Sequence, residues 1–320
     1  MINKFIAVTI GDIKGIGIQL LIDLIIKKKI TNFILFTNYN IIKKYLVKNK
    51  IKIKVVNIKN NEKKIIINRY DILYIYNLNI KNDIENTYKS LIASYKFTKK
   101  YNLKGIINLP LNKEKIIKNI NEKFIGQTEF YQKIDKKKIC NMIFIYKKLI
   151  ITTLTTHIEI NKITKNLSKK NIIYDKDINL NQILIKKLNN KKPKLIISGI
   201  NPHASENNIF GNEENKILIP QIKKILKKNI YIKGPVSADS MLNNLNLKKY
   251  NCFIFCYHDQ ALVAYKYISK NRGINFTGGL SILRVSPDHG TAYNLVGTKL
   301  AENKSLLNCF NFLKKFNVNS

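Results

Sequence analysis

The 320-residue sequence has few cysteines, few arginines and no long apolar run, and each scarcity excludes a class of protein. Four cysteines are too few for a disulfide-stapled scaffold of this length. No segment approaches the roughly 18 consecutive apolar residues of a transmembrane helix. Asp12 and Lys14 interrupt the apolar N-terminal segment, and no small-residue cleavage site follows. We therefore expect no signal peptide, no membrane partner and a cytoplasmic location.

Arginine supplies almost none of the large positive charge. Lysine and arginine total 57 against 20 acidic residues, a net charge of +37, yet only three residues are arginine. Nucleic-acid surfaces use arginine for bidentate contacts with phosphate and guanine. Lysine, isoleucine and asparagine, which share A/T-rich codons, make up 156 residues. We attribute the charge to coding bias and expect no nucleic-acid partner, although a basic nucleic-acid-binding protein is the alternative that the charge favours.

Short apolar segments alternate with longer amphipathic ones along the chain. Residues 5–10 predict a buried strand, and after it come a glycine-containing turn and a helix over residues 16–28. The same alternation recurs to the end of the chain and predicts an α/β protein with a largely parallel sheet. The apolar segments 142–146 and 149–154 predict a hairpin. At 37.1 kDa, with 45% hydrophobic residues, the chain can form two modest domains or one large one.

Two lysine-free segments interrupt the lysine-rich background, residues 195–215 and 271–298. Lysine makes up about one residue in six, so a window of 28 residues without it indicates some demand other than coding bias. Most of the 13 glycines also fall in a few short segments, two of which are these windows. Glycine in such places marks positive φ or a close approach of the backbone. The windows are therefore the first candidates for a functional site.

Three of the four histidines each follow a predicted strand by a few residues: His157, His203 and His258. In an open α/β sheet, ligands bind at the carboxyl ends of strands. Three imidazoles at these ends could hold a divalent metal and leave positions open for substrate. The alternative is three independent loop histidines that are hydrogen-bonded within the protein.

Arg284 is one of only three arginines and lies between Gly278-Gly279 and Asp288-His289-Gly290. A bidentate grip on phosphate or carboxylate is its natural role. Lys266 and Asn275 precede it and could hold an anionic substrate, although a lysine in this composition is more often a solvated surface residue. The segment Gly11–Gly17 follows a strand and opens a helix, which fits a phosphate cradle or a plain tight turn.

Six ordered motifs carry a resemblance to one family. They are Gly126-Gln127-Thr128-Glu129-Phe130, Thr155-Thr156-His157, Gly199-Ile200-Asn201-Pro202-His203-Ala204, Gly234-Pro235-Val236-Ser237-Ala238-Asp239, Tyr257-His258-Asp259-Gln260 and Asp288-His289-Gly290-Thr291-Ala292. The sequence resembles the 4-hydroxythreonine-4-phosphate dehydrogenases of pyridoxal 5′-phosphate biosynthesis, from the Gly11–Gly17 turn to about Leu306.

The resemblance implies an isocitrate/isopropylmalate-dehydrogenase-like fold with two α/β/α subdomains and a cleft between them. The expected subdomains are residues 1–127 plus 260–320 and residues 128–259, the second carrying the interface of a homodimer with a shared active site. The implied reaction is NAD- and metal-dependent oxidation of 4-phosphooxy-L-threonine. The 2-amino-3-oxo-4-phosphooxybutanoate formed then decarboxylates to 3-amino-2-oxopropyl phosphate. A related enzyme for another phosphorylated hydroxy acid, a threonate or erythronate phosphate, is the alternative.

Site roles also follow from the resemblance. It implies that His157, His203 and His258 bind one divalent ion (zinc, magnesium or cobalt). The substrate-binding positions are Gln127, Thr128, Lys266, Asn275 and Arg284. His289 and Gly290 lie in the implied cofactor loop, residues 288–297, and Lys266 and Asp259 are candidate proton acceptors. Gln127 stands where the family commonly has histidine, and glutamine can donate a hydrogen bond but cannot carry a proton.

Overall fold

The computed structural model describes residues 2–58, 70, 72–169, 172–188, 190 and 192–315. Within these residues the strands are β1 Ile6–Thr9, β2 Phe33–Thr37, β3 Lys54–Ile58, β4 Ile72–Asn77, β5 Ile106–Asn108, β6 Asn141–Tyr146, β7 Leu149–Thr153, β8 Lys194–Ser198, β9 Tyr231–Val236, β10 Cys252–Phe255, β11 Ile274–Gly278 and β12 Arg284–Pro287. The α-helices are α1 Ile16–Ile26, α2 Tyr39–Lys48, α3 Asp83–Tyr101, α4 Lys113–Asn119, α5 Gln127–Ile134, α6 Ile163–Leu167, α7 Ile172–Lys186, α8 Ile219–Leu226, α9 Asn244–Lys249, α10 His258–Ser269 and α11 Lys304–Lys315. This order of elements confirms the α/β class.

The chain divides into two compact units. Met1–Tyr131 and Ser281–Ser320 form the first, and Gln132–Leu280 forms the second. The second unit thus extends to residue 280, whereas the family resemblance implies a subdomain that ends at residue 259. The reason is that α10 and β11 pack with the second unit: Tyr265 of α10 is fully buried, and its hydroxyl donates to the carbonyl of Ile145 at 3.0 Å.

The first unit contains a parallel sheet. Its strand order within the described residues is β3-β4-β2-β1-β5-β12, and every neighbouring pair is parallel. β1 and β2 are buried along their whole length, as expected of parallel strands with both faces covered. α3 packs against β1 and β2, and α11 packs against β12. Because β1, β5 and β12 are parallel neighbours, their carboxyl ends lie at one edge of this sheet.

The second unit has a mixed sheet with the order β11-β6-β7-β10-β8-β9. β7, β10, β8 and β9 are parallel, whereas β6 runs antiparallel to both β7 and β11. The β6–β7 hairpin confirms the prediction for residues 142–154, with Tyr146 paired to Leu149 across its turn. The hydrophobic core of the second unit contains Phe144, Ile151 and Phe253. The largely parallel sheet expected from the sequence thus holds for the strands that carry the histidine loops.

All four cysteines, Cys140, Cys252, Cys256 and Cys309, are buried and not disulfide-bonded. This agrees with the expectation that they form no disulfide framework. In the described part of the chain, no helix combines the length and the apolar character needed to cross a bilayer.

Candidate active site

The three predicted metal ligands follow neighbouring parallel strands of the second unit. β7, β10 and β8 are adjacent in that order, so their carboxyl ends share one edge. His157 lies after β7, His258 begins α10 after β10, and His203 lies after β8. The topology therefore places all three histidine-bearing loops at the edge where open α/β sheets bind ligands.

Hydrogen bonds join these three loops. Thr155 donates both its N–H, at 3.1 Å, and its hydroxyl, at 2.8 Å, to the carbonyl of Cys256. Gln260 accepts from the N–H of Cys256 at 3.0 Å and donates from Nε2 to the carbonyl of Gly199 at 3.0 Å. Gln260 thus fastens the first turn of α10 to the ends of β10 and β8, and this accounts for its place two residues after His258.

His157 and His258 form a pair whose geometry fits a shared metal ion. Their ring centroids are 5.5 Å apart. Two imidazoles bound through one nitrogen each to a tetrahedral ion at about 2.0–2.1 Å would have centroids roughly 5 Å apart. His258 Nδ1 and Asp259 Oδ1 are 2.9 Å apart. An Nδ1–H donated to this carboxylate leaves the lone pair on Nε2, the arrangement typical of metal-binding histidines.

His203 lies outside this pair. It is exposed, and its ring centroid is 6.1 Å from that of Phe210. Among the described residues, no group of three or more histidine, cysteine, aspartate or glutamate side chains is placed to hold a metal ion. The donor set of His157 and His258, with Asp259 as the orienting carboxylate, fits a divalent metal. A third bond from His203 stays a prediction.

The other predicted residues of the second unit have distinct surroundings. The Asp259 side chain is 73% exposed and engaged with His258, which favours an orienting role over that of proton acceptor. Lys266 is half-buried on α10, with Nζ 3.4 Å from Asn271 Oδ1. The Oδ1 atom of Asn275, on β11, is buried and has no hydrogen-bond partner within the described residues. A buried acceptor without a partner is costly, so Asn275 fits a position that a ligand donor completes.

In the first unit, the structure brings Arg284 and Gln127 together. Arg284 begins β12 and is only 1% exposed. Its Nε donates to Asn108 Oδ1 at 2.5 Å, and its Nη2 donates to Gln127 Oε1. Burial lowers the pKa of Arg284 to about 10, which still leaves the guanidinium charged at neutral pH. Thr128 is buried beside Gln127 in the first turn of α5. Neutral amide acceptors thus hold a buried cation in place.

The segment 288–297 is tied to the turn between β1 and α1. The carbonyl of Thr291 accepts from the N–H of Ile16 at 2.9 Å. The Tyr293 hydroxyl donates to Asp12 Oδ2 at 2.6 Å, and Lys115 Nζ donates to the same oxygen at 2.9 Å. Burial opposes ionisation of Asp12, but hydrogen bonds from Tyr293, Lys115 and the Lys14 amide outweigh it and lower its pKa. A charged Asp12 therefore anchors the segment.

A cavity of about 250 Å³ adjoins this anchor. Its lining combines charged, polar and apolar residues, namely Asp12, Ile13, Lys14, Asn82, Asp83, Ile84, Thr87, Asn112, Lys115 and Ile116. Gly290 lies in the anchored segment, and a Cβ built on it would meet no atom within 4 Å. No packing among the described residues thus requires glycine at 290, and the open space fits close approach of a ligand to the backbone.

Comparison with known proteins decides the family. The family model described as pyridoxal phosphate biosynthetic protein PdxA matches residues 29–313. The chain belongs to the PdxA family. Membership makes it an oxidoreductase of the PdxA type in pyridoxal phosphate biosynthesis, and it confirms the resemblance seen in the sequence motifs.

Relatives and a solved structure extend the comparison across the chain. A 4-hydroxythreonine-4-phosphate dehydrogenase of Sulfurihydrogenibium sp. is 28% identical over 309 residues, which cover 94% of this chain and 95% of that protein. A Clostridium botulinum protein with a provisional name as a D-threonate 4-phosphate dehydrogenase is also 28% identical, with 99% and 98% covered. The crystal structure of 4-hydroxythreonine-4-phosphate dehydrogenase from Klebsiella pneumoniae superposes with a TM-score of 0.80 at 22% identity and covers 98% of this chain and 97% of that one. That last likeness establishes the fold.

Several residues that take part in the contacts of the candidate site were missed by sequence reasoning. Asn108 and Lys115 have no distinguishing neighbours in the sequence, so nothing identified them. Tyr293, in contrast, lies in the lysine-free window 271–298, and Glu214, which accepts from the N–H of Asn201 near His203, lies in the window 195–215. That compositional signal could have singled them out had it been applied to every residue of the windows as well as to histidine, arginine and glycine.

Proposed function

We propose that the chain catalyses the NAD- and divalent-metal-dependent oxidation of 4-phosphooxy-L-threonine to 2-amino-3-oxo-4-phosphooxybutanoate, which loses CO₂ to give 3-amino-2-oxopropyl phosphate. The proposal rests on PdxA-family membership combined with one structural observation, the His157–His258 pair with its carboxylate partner at the carboxyl edge of the sheet. The named activity of the Sulfurihydrogenibium relative supports the substrate.

The metal site is assigned to His157 and His258, with His203 as third ligand. Neutral imidazoles favour Zn²⁺ or Co²⁺ over Mg²⁺, which prefers oxygen ligands. When bound, such a cation lowers the pKa of an alcohol and stabilises negative charge on oxygen. Asp259 contributes by holding the His258 ring in one orientation. Its exchange for asparagine would weaken the contact that holds the ring.

Anion recognition is assigned to Arg284 and to Thr128, the buried residue that follows Gln127 in α5. The buried guanidinium is fixed by Asn108 and Gln127, so it loses little side-chain freedom when an anion binds. Asn275 Oδ1 accepts a hydrogen bond from an ammonium or hydroxyl group of the substrate, and Lys266 remains the candidate proton acceptor. These roles are hypotheses that the kinetics of variants can separate.

NAD is assigned to the segment 288–297, including His289 and Gly290, and to the adjoining cavity. NAD held there would supply the hydride acceptor that oxidation of the alcohol requires. The contribution of the protein is to hold the segment in one conformation through Asp12, Thr291 and Tyr293. An ordered segment binds a cofactor more tightly, since less conformational entropy is lost on binding.

Replacing Tyr293 by phenylalanine tests this anchor. The change removes the hydroxyl that donates to Asp12, a hydrogen bond to a charged group worth about 1.5–3 kcal/mol. We expect KM for NAD to rise roughly tenfold while kcat changes less than about twofold. Initial rates at varied NAD measure both, with Tyr39→Phe on α2 as the matched control. An unchanged KM in Tyr293→Phe would show that the anchor does not serve the cofactor.

A second substrate class is supported by the Clostridium relative. Threonate 4-phosphate carries a hydroxyl where 4-phosphooxy-L-threonine carries an ammonium group, and the buried acceptor of Asn275 suits either. NADH formation from the two compounds, compared as kcat/KM, decides between them. We expect a preference of at least about tenfold for the amino acid substrate, equivalent to 1.4 kcal/mol. A preference for the threonate or erythronate phosphate would replace the proposed substrate and leave the dehydrogenase chemistry standing.

A homodimer is proposed from the exposed apolar residues of the second unit. On α10, Val263 and Tyr267 are 74% and 84% exposed and lie one turn apart on the same helix face. Ile160, Ile209 and Leu245 are also largely exposed. Large apolar side chains that are exposed on a single chain are often covered in subunit interfaces. Light scattering of the purified chain gives the oligomeric state.

We also propose a cytoplasmic location. The four cysteines are buried and not disulfide-bonded, which fits a reducing compartment, where disulfides are rare. Fractionation of the host cell would test this assignment.

A further inference from the structure

Glu214 is a buried carboxylate in the loop region that carries His203. It is 2% exposed and begins the π-helical turn Glu214–Leu218 that leads into α8. Oε1 accepts from the N–H groups of Ile200 and Asn201 at 2.7 and 2.8 Å. Oε2 accepts from Asn201 Nδ2 at 2.9 Å and from the hydroxyl of Ser205. Four donors from one short segment therefore converge on a single side chain.

The contacts fall on both sides of His203 in the sequence. Asn201 precedes it by two residues, and Ser205 follows it by two. His203 and Ala204, which lie between these two residues, have a left-handed backbone with φ of 51°. Ser205 is left-handed as well, with φ of 70°. Left-handed backbone is unfavourable for residues with a Cβ and persists only where the surroundings hold it. Glu214 supplies that hold at both ends of the turn.

Gly199 completes the fastening of this turn. A Cβ at position 199 would lie 2.8 Å from the Cα of Ala204 and 2.9 Å from Glu214 Oε1. A side chain there would force the turn and the carboxylate apart. The end of β8 therefore packs closely against both the turn and Glu214, and this packing requires glycine at position 199.

We infer that Glu214 is a positioning residue for His203, fixing the turn 201–205 at the strand edge where His157 and His258 form their pair. The inference rests on the proposed function, since it takes His203 to be the third metal ligand. With both ends of the turn fastened, only its tip remains to adjust when His203 binds a metal. Without these hydrogen bonds, the turn that carries His203 would have to become ordered when the metal binds, and this would lower the affinity for the metal.

Titration of the purified full-length protein with Zn²⁺ by calorimetry tests the inference. Glu214→Gln keeps the size of the side chain and removes its charge, and we expect its Kd for Zn²⁺ to rise about 10- to 100-fold. Ser205→Ala removes one donor and should give a smaller rise in the same direction. Glu206→Gln, an exposed glutamate of the same loop, is the matched control and should bind as wild type does. Thermal melting of each metal-free variant verifies that it is folded.

A double-variant comparison separates positioning of His203 from general damage. If Glu214 acts through His203, adding Glu214→Gln to His203→Ala leaves the already weakened Kd unchanged. A wild-type Kd in folded Glu214→Gln, or the same further loss in the His203→Ala background, would overturn the inference alone. A wild-type protein that binds no Zn²⁺ would overturn the proposed metal dependence as well, so the two failures are distinguishable.

Discussion

His258→Ala is expected to lower kcat/KM at least about 1000-fold, because a catalytic metal supplies several kcal/mol of transition-state stabilisation. The ring it removes is one of the pair whose centroids are 5.5 Å apart. Metal content by mass spectrometry should fall together with activity. Turnover and metal content at wild-type levels in this variant would contradict the ligand assignment.

Asp259→Asn provides the graded control for this result. The amide keeps the shape of the side chain but weakens the contact with His258 Nδ1, which is 2.9 Å long. Losses of about 10- to 100-fold are typical when the partner of a metal-binding histidine is changed. If Asp259 instead accepted the substrate proton, its loss would match that of His258→Ala while the metal remained bound. Activity and metal content measured together distinguish the two roles.

Arg284→Lys is expected to lower kcat/KM about 100-fold through loss of the planar guanidinium contact with an anion. Lysine cannot donate to both Asn108 and Gln127 in the geometry that Arg284 uses. One buried acceptor is then left unpaired, which costs about 1–3 kcal/mol of the free energy of unfolding. Chemical denaturation measures that loss. Arg272→Lys is the matched control.

The pH profile of Arg284→Lys gives a second readout. Burial lowers the pKa of Arg284 to about 10, and the same desolvation would act on a lysine whose pKa starts lower. The lysine therefore loses its proton at lower pH than Arg284 does. Activity of the variant should fall as pH rises above neutral, in a range where the wild-type protein keeps its guanidinium charged. Parallel profiles for the two proteins would show that no charge at position 284 is needed.

Much of the fold could be predicted because its signals are local. The β6–β7 hairpin follows from two apolar segments on either side of Lys147-Lys148, and the strand-end positions of the histidines follow from the alternation of elements. The boundary between the units could not be found this way. It depends on the burial of Tyr265 against the second unit, and a tyrosine on an amphipathic helix gives no indication of which sheet it will cover.

The sequence allowed some residues of the candidate site to be predicted, but not the contacts that those residues make. The four histidines and three arginines are scarce enough for His258 and Arg284 to be recognised. Their partners are common residues, Asp259 and Asn108, whose roles depend on distances of a few ångströms. Glu214 shows the same limit, since it is one of 20 acidic residues. Its importance comes from four donors that only the folded chain gathers around it.

The measurement that tests the central proposal most directly is NADH formation from 4-phosphooxy-L-threonine by chelator-treated protein, before and after a divalent metal is added back. The proposal predicts no NADH formation without metal, restored turnover with Zn²⁺ or Co²⁺, and 3-amino-2-oxopropyl phosphate as the product. Folded, metal-loaded protein that forms no NADH from this substrate, or that turns over equally well without metal, would contradict it.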